Sequence, residues 1–168
     1  MSSAHQKAPE APPAHVWPEV RLCLVSESGK SYKPDRRPPG RPVLDKPQCA
    51  ARYLALRLGR EPFEVLGALY LDTRQRLLCY TVLYRGTLDR AAVEPRGILC
   101  AGLLANASGI LLFHNHPSGD ATPSAEDLAF TRRLDEAARV VGIRLHDHLI
   151  IGSGSGFAWT SLRERGGW

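Results

Sequence analysis

The segment Gly109-Ile-Leu-Leu-Phe113 is an unbroken apolar run that passes directly into His114-Asn-His-Pro117. It reads as a short, fully apolar strand. Histidines at positions i and i+2 of a strand point to one face, with their α-carbons about 7 Å apart. A divalent metal with bonds of about 2.1 Å to each imidazole fits between them. Asp127 follows at the expected start of a helix and offers a third, anionic ligand. Three protein ligands leave one position open to water, as in a catalytic zinc site and unlike a closed structural one.

The rest of the chain surrounds this segment with alternating strand and helix signals. Met1 to about Pro18 is rich in Ala, Pro, Ser and His and reads as a Pro/Ala-rich tail over residues 1–19, leaving residues 20–168 as one domain. Val20–Val25 alternates as a strand does, and Ser26–Gly40 reads as an exposed loop. Asp45-Lys-Pro47 predicts a helix with Asp45 at its N-cap, running to about Leu58 and ended by Gly59. Between Glu64 and Asp72 the chain is continuously apolar, as in a strand covered on both faces. Asp72–Arg76 turns the chain, Leu77–Tyr84 returns antiparallel, and Gly86-Thr87 breaks it. Pro95 starts a helix to about Leu104. Ser124 caps another to about Val141, with Leu128, Leu134 and Ala138 facing inward and Gly142 closing it. Leu145–Ile151 predicts a strand, Gly152–Gly156 a turn, and Phe157–Leu162 the last piece of core. The order defines a mixed α/β domain.

Composition sets the setting. No apolar run approaches the ~20 residues of a membrane helix, and the N-terminus lacks a basic-then-apolar secretion signal, so the chain is expected to be cytoplasmic and off the membrane. Cys23, Cys49, Cys79 and Cys100 are scattered, never form Cys-x-x-Cys, and read as small buried apolar residues in a reducing compartment. The net charge of +5 is dominated by arginine. Its basic residues are dispersed and lack interleaved aromatics, which suits a solvated face. Attraction to nucleic acid is the alternative.

Hydrolysis at such a metal needs a group to move the proton. Glu64, at the head of the apolar strand, is the candidate, although by position alone it reads as an exposed charge. Glu61 competes, but it precedes Pro62 in a connecting loop. Ser124-x-x-Asp127 has the form of a capping box. Ser124 can cap through its hydroxyl or offer a donor toward the metal, and both readings of the segment can hold together. His146 and His148 form a second i, i+2 pair. The favoured reading packs His148 near the first site or in a substrate groove and leaves His146 partly exposed, with a second metal site as the alternative.

His114-x-His116-Pro117, Ser124-x-x-Asp127 and the upstream Glu64-Val-Leu-Gly67 together resemble the JAMM signature of the JAB/MPN metalloproteins. Leu71–Arg76, Leu83–Thr87, Val93–Arg96, His114–Asp120 and Asp147–Gly152 are similar to the RadC branch. The resemblance covers about Leu22 to Arg165. It implies a curved mixed sheet flanked by helices and one Zn²⁺ held by His114, His116 and Asp127. It also implies Glu64 as general acid/base and Ser124 as the oxyanion's partner. The implied activity is that of a zinc metallopeptidase or isopeptidase acting on a peptide or protein. Longer RadC members carry an N-terminal helix-hairpin-helix region suited to DNA, whereas this chain opens on the Pro/Ala tail. Two rivals accompany this reading: a DNA-repair factor or metal-dependent nuclease, and a non-catalytic scaffold. Leu77–Tyr84, as an edge strand, is a candidate contact for a homodimer.

Overall fold

The computed structural model describes residues 24–25, 31–32, 40–59, 61–86, 93–153 and 157–168. The tail, Cys23, most of the Ser26–Gly40 segment, Thr87 and the 154–156 turn lie outside the described residues. Two short strands, β1 (Leu24–Val25) and β2 (Ser31–Tyr32), pair antiparallel. β2 therefore interrupts the segment expected to be loop. The helices are α1 (Pro47–Leu58), α2 (Pro95–Leu104) and α3 (Ala125–Val140). The main sheet comprises β3 (Glu64–Leu71), β4 (Leu77–Gly86), β5 (Gly109–His116), β6 (Arg144–Gly152) and β7 (Trp159–Ser161).

The sheet order is β4-β3-β5-β6-β7. β5 and β6 run parallel, joined through α3, and the other neighbours are antiparallel. This is the mixed sheet flanked by helices expected of the JAB fold, with β4 at one edge.

The unbroken apolarity of β3 and β5 has a direct cause. Side chains alternate across a strand, and both faces of these two strands are covered. Val65, Leu69 and Leu71 of β3 and Leu111 and Phe113 of β5 pack beneath α1 with Ala50, Ala51, Leu54 and Leu58. Leu66, Ala68 and Tyr70, with Ile110 and Leu112, pack beneath α2 and α3 with Ile98, Ala101, Phe130 and Leu134. Truncating a buried leucine such as Leu69 or Leu112 to alanine costs about 2–5 kcal/mol in cores of this kind. Gly67 is required between them: a Cβ there would lie 2.2 Å from the Thr81 carbonyl oxygen and 2.4 Å from Phe113.

Further details differ from the sequence reading. Lys46, not Asp45, is the N-cap of α1, and no side chain caps it. With Pro47 at N1, one of the unpaired amides of the first turn is already missing. Cys49 is exposed, while Cys79 is buried and Cys100 intermediate.

Candidate metal centre

β5 extends three residues beyond its apolar run, and those residues build the centre. His114 and His116 share the parity of Ile110 and Leu112 and so emerge on the α2/α3 face. Asn115, of opposite parity, turns toward α1. Both His114 (2 % exposed) and Asn115 (0 %) are buried. These polar residues belong to the interior, which is why β5 runs past Phe113.

Pro117–Asp120 then reverses the chain. Gly119 holds φ +87, and its N–H donates to the His116 carbonyl at 3.1 Å. A Cβ on Gly119 would come within 2.9 Å of the Ser153 carbonyl oxygen. The turn brings the Asp120 carbonyl oxygen to 2.6 Å from His116 Nδ1. The chain then enters α3 through a complete capping box. The Ser124 Oγ accepts from the Asp127 N–H at 3.1 Å, and Asp127 Oδ2 accepts from the Ser124 N–H at 2.8 Å. The Ser124 hydroxyl also donates to Asp127 Oδ2 at 2.7 Å.

The three expected ligands meet. One donor atom from each of His114, His116 and Asp127 lies within 4.8 Å of the other two. His114 Nε2 is 2.9 Å from His116 Nε2 and 3.3 Å from Asp127 Oδ1. A tetrahedral ion with bonds near 2.0–2.1 Å requires donors separated by about 3.3 Å. Proton positions agree with this fit. A carbonyl only accepts, so His116 donates through Nδ1–H to Asp120, which turns Nε2 toward the centre. Two imidazole nitrogens and a carboxylate oxygen facing one another at these distances suit a cation.

Glu64 opens β3 and is half-buried. β3 and β5 pair with Leu66 opposite His114. Continuing that register brings Glu64 level with His116 on the same face. Its backbone is pinned from both sides by Asn115, whose Oδ1 accepts from the Val65 N–H at 2.8 Å and whose Nδ2 donates to the Phe63 carbonyl at 3.1 Å. Glu61, the competing carboxylate, is instead bound by Arg85 at 2.8 Å.

His146 and His148 do not share a face. β6 carries a register shift, with Leu145 paired to Ile110 but Asp147 paired to Leu111. The extra residue, His146, reverses the parity that follows. His148 thereby joins the α3 face, where its Nε2 lies 2.8 Å from His114 Nδ1. Asp147 is buried on the opposite face, accepting from Ser161 Oγ and from the N–H groups of His148 and Arg163. Burial nevertheless raises its pKa above the ordinary carboxylate value, with the hydrogen bonds opposing. His146 is held below the ordinary imidazole pKa by burial, then by the charges of Arg144 and Arg163. The alternative of a second metal site through this pair finds no geometric support. Among the described residues, His114, His116 and Asp127 form the metal-compatible cluster.

Sequence reasoning assigned no role to Asn115 or Thr131. Asn115 was masked by its place between two histidines on the opposite face. Thr131 announces itself only by standing four residues, about one helical turn, after Asp127.

A domain built this way, with paired histidines at a strand end and an aspartate in the following helix, has the architecture of the JAB class. The model of the RadC-like JAB domain matches residues 44–167, and the chain belongs to that family. Curated relatives include a "UPF0758 protein" of Nitrosococcus oceani, 44 % identical over 150 residues that cover 89 % of this chain and 64 % of the relative. A second, from Azotobacter vinelandii, is 46 % identical over 125 residues, covering 74 % of this chain and 54 % of the relative. The chain thus spans about half to two thirds of the length of these relatives. Among the described residues, no helix is long and apolar enough to cross a membrane.

Proposed function

We propose that this protein is a zinc-dependent hydrolase of the peptidase or isopeptidase type, with His114, His116 and Asp127 as the metal ligands. The observation that carries the reading is the convergence of two imidazole Nε2 atoms and one carboxylate oxygen at 2.9 and 3.3 Å, beside the strand that Glu64 opens. His114, His116 and Asp127 would hold the zinc ion, which would supply Lewis acidity and bring the pKa of a coordinated water to about 7. Glu64 takes the proton from water and returns it to the leaving amine. The Ser124 hydroxyl stabilises the developing oxyanion. To do so it must turn from Asp127 Oδ2, its acceptor in the resting structure. The substrate is a peptide or protein, and the setting is the cytoplasm.

The test combines metal analysis with hydrolysis of a quenched-fluorescence peptide library. Wild-type protein should carry about one zinc per chain, and His116→Ala should lose it. Glu64→Gln should keep the metal and lose turnover. Equal zinc in wild type and His116→Ala would remove the ligand assignment. Retained turnover in Glu64→Gln would move the base elsewhere. Zinc without turnover on any peptide would favour a scaffold.

The nucleic-acid reading has one observation of its own, a cleft of about 810 Å³ lined by Arg139, Arg144, Arg163 and Trp168. Arg139 is paired with Asp135 at 2.6 Å, and Arg163 donates to the His146 carbonyl. Arg144 is level with Gly109 at the start of β5, whereas His116 ends it. Seven strand steps place these points about 23 Å apart. A phosphodiester held by Arg144 would lie far from the histidines, which favours the peptidase reading over a nuclease.

A further inference from the structure

His114 is held on the side away from the candidate metal position by a chain of buried groups. Thr131, on α3, places its Oγ 2.6 Å from the Asp127 carbonyl oxygen and 2.6 Å from His148 Nδ1. His148 Nε2 in turn lies 2.8 Å from His114 Nδ1. Thr131 is 0 % exposed and His148 1 %.

The direction of every proton in this chain follows from its far end. A carbonyl oxygen has no proton to give, so the Thr131 hydroxyl donates to Asp127 in the i to i−4 manner known for helical threonine. The Thr131 oxygen must then accept, so His148 carries its proton on Nδ1. In a neutral His148 the Nε2 is left as an acceptor, so His114 donates through Nδ1–H. A neutral His114 then has its Nε2 lone pair toward His116 and Asp127. The chain starts at the backbone of one expected ligand and ends at the ring of another.

We infer that Thr131 and His148 are positioning residues that select the His114 tautomer able to bind a cation. The inference rests on the metal-site reading above. Its particular content is that a helix carbonyl, acting through two side chains, decides which nitrogen of His114 bears hydrogen. Without the Thr131 acceptor, His148 loses its reason to protonate Nδ1. If its proton moves to Nε2, His114 must accept at Nδ1 and protonate Nε2, placing a hydrogen where the metal should bind. Partners outside the ligand set commonly govern metal affinity in this way, by about 10–100-fold.

The test uses Thr131→Val, close in shape to threonine but without the hydroxyl, and Thr131→Ser, which restores it. Imidazole ¹⁵N shifts of the metal-free protein read the tautomers directly, and competition with a chromophoric chelator reads zinc affinity. Wild type and Thr131→Ser should show Nδ1–H on both His114 and His148. Thr131→Val should shift His114 toward Nε2–H and weaken zinc binding by about 10–100-fold, the range expected of such partners. Far-ultraviolet circular dichroism confirms that each variant is folded. A wild-type His114 protonated on Nε2, or a His148 protonated on both nitrogens, overturns the inference. So does a folded Thr131→Val with wild-type tautomers and affinity. If wild-type protein binds no zinc, the metal reading fails, while the ¹⁵N shifts still decide the tautomer claim.

Discussion

Replacing Asn115 with alanine should cost about 3 kcal/mol, without touching any expected metal ligand. The side chain is fully buried. It makes three hydrogen bonds: from the Val65 N–H at 2.8 Å, to the Phe63 carbonyl at 3.1 Å, and to Ser153 Oγ at 3.2 Å. Each contributes about 1 kcal/mol net, and a buried backbone group left without its partner adds to the loss. For a domain of this size 1 kcal/mol corresponds to about 2–4 °C, so the melting temperature should fall by about 6–12 °C. Asn115→Asp is a sharper probe. It keeps an acceptor for Val65 but sets an oxygen against the Phe63 carbonyl, so it should not rescue stability. Ser153→Ala removes the most peripheral of the three contacts and should lower the melting temperature by no more than about 4 °C. Differential scanning fluorimetry of the metal-free proteins measures all three. An Asn115→Ala protein melting within about 3 °C of wild type would refute the reasoning, since the side chain would then not be holding the start of β3. Because the two β3 bonds flank Glu64, the same variant should lose hydrolysis while keeping zinc.

Gly67→Ala should destabilise by about 1–3 kcal/mol or more, because its new methyl meets the Thr81 backbone oxygen, which cannot rotate away; an unchanged urea midpoint would contradict that contact. Asp147→Asn should gain stability relative to wild type as pH rises. The raised folded-state pKa means that the folded protein holds the Asp147 proton more tightly than the unfolded chain. Wild type therefore loses stability from about pH 3.8 up through the folded value. The difference between variant and wild type, from denaturant titrations at pH 4 to 7, should grow and then level off; a flat difference would count against a desolvated carboxylate. Zinc at 100 times its dissociation constant should stabilise by about 2.7 kcal/mol, a gain of about 5–11 °C. Chelation should abolish that gain, and His116→Ala should show none.

Where local chemistry and tertiary environment coincide, the chain was easy to read. Pro95 at the first helical position and the two-faced apolar runs of β3 and β5 announce their elements directly. The donor trio was legible for the same reason: a strand's period of two and a capping box are local rules, and His114, His116 and Asp127 obey them. Other features depend on long-range contacts. The end of β5 was placed at Phe113 because apolarity stops there, yet His114 and Asn115 are buried by bonds to residues remote in sequence. The register shift in β6 is invisible in Leu145–Ile151, since an extra residue in a strand leaves no compositional mark. It alone changes His146 and His148 from an apparent pair into residues of opposite faces. Asp45 looked like a better cap than Lys46 by propensity, but Pro47 set where the helix begins.

Each of the three donors is moored to something other than an ion: His114 to His148, His116 to the Asp120 carbonyl, and Asp127 to Ser124. These anchors fix the three side chains independently of any cation, so loading with a metal should leave the backbone almost unchanged.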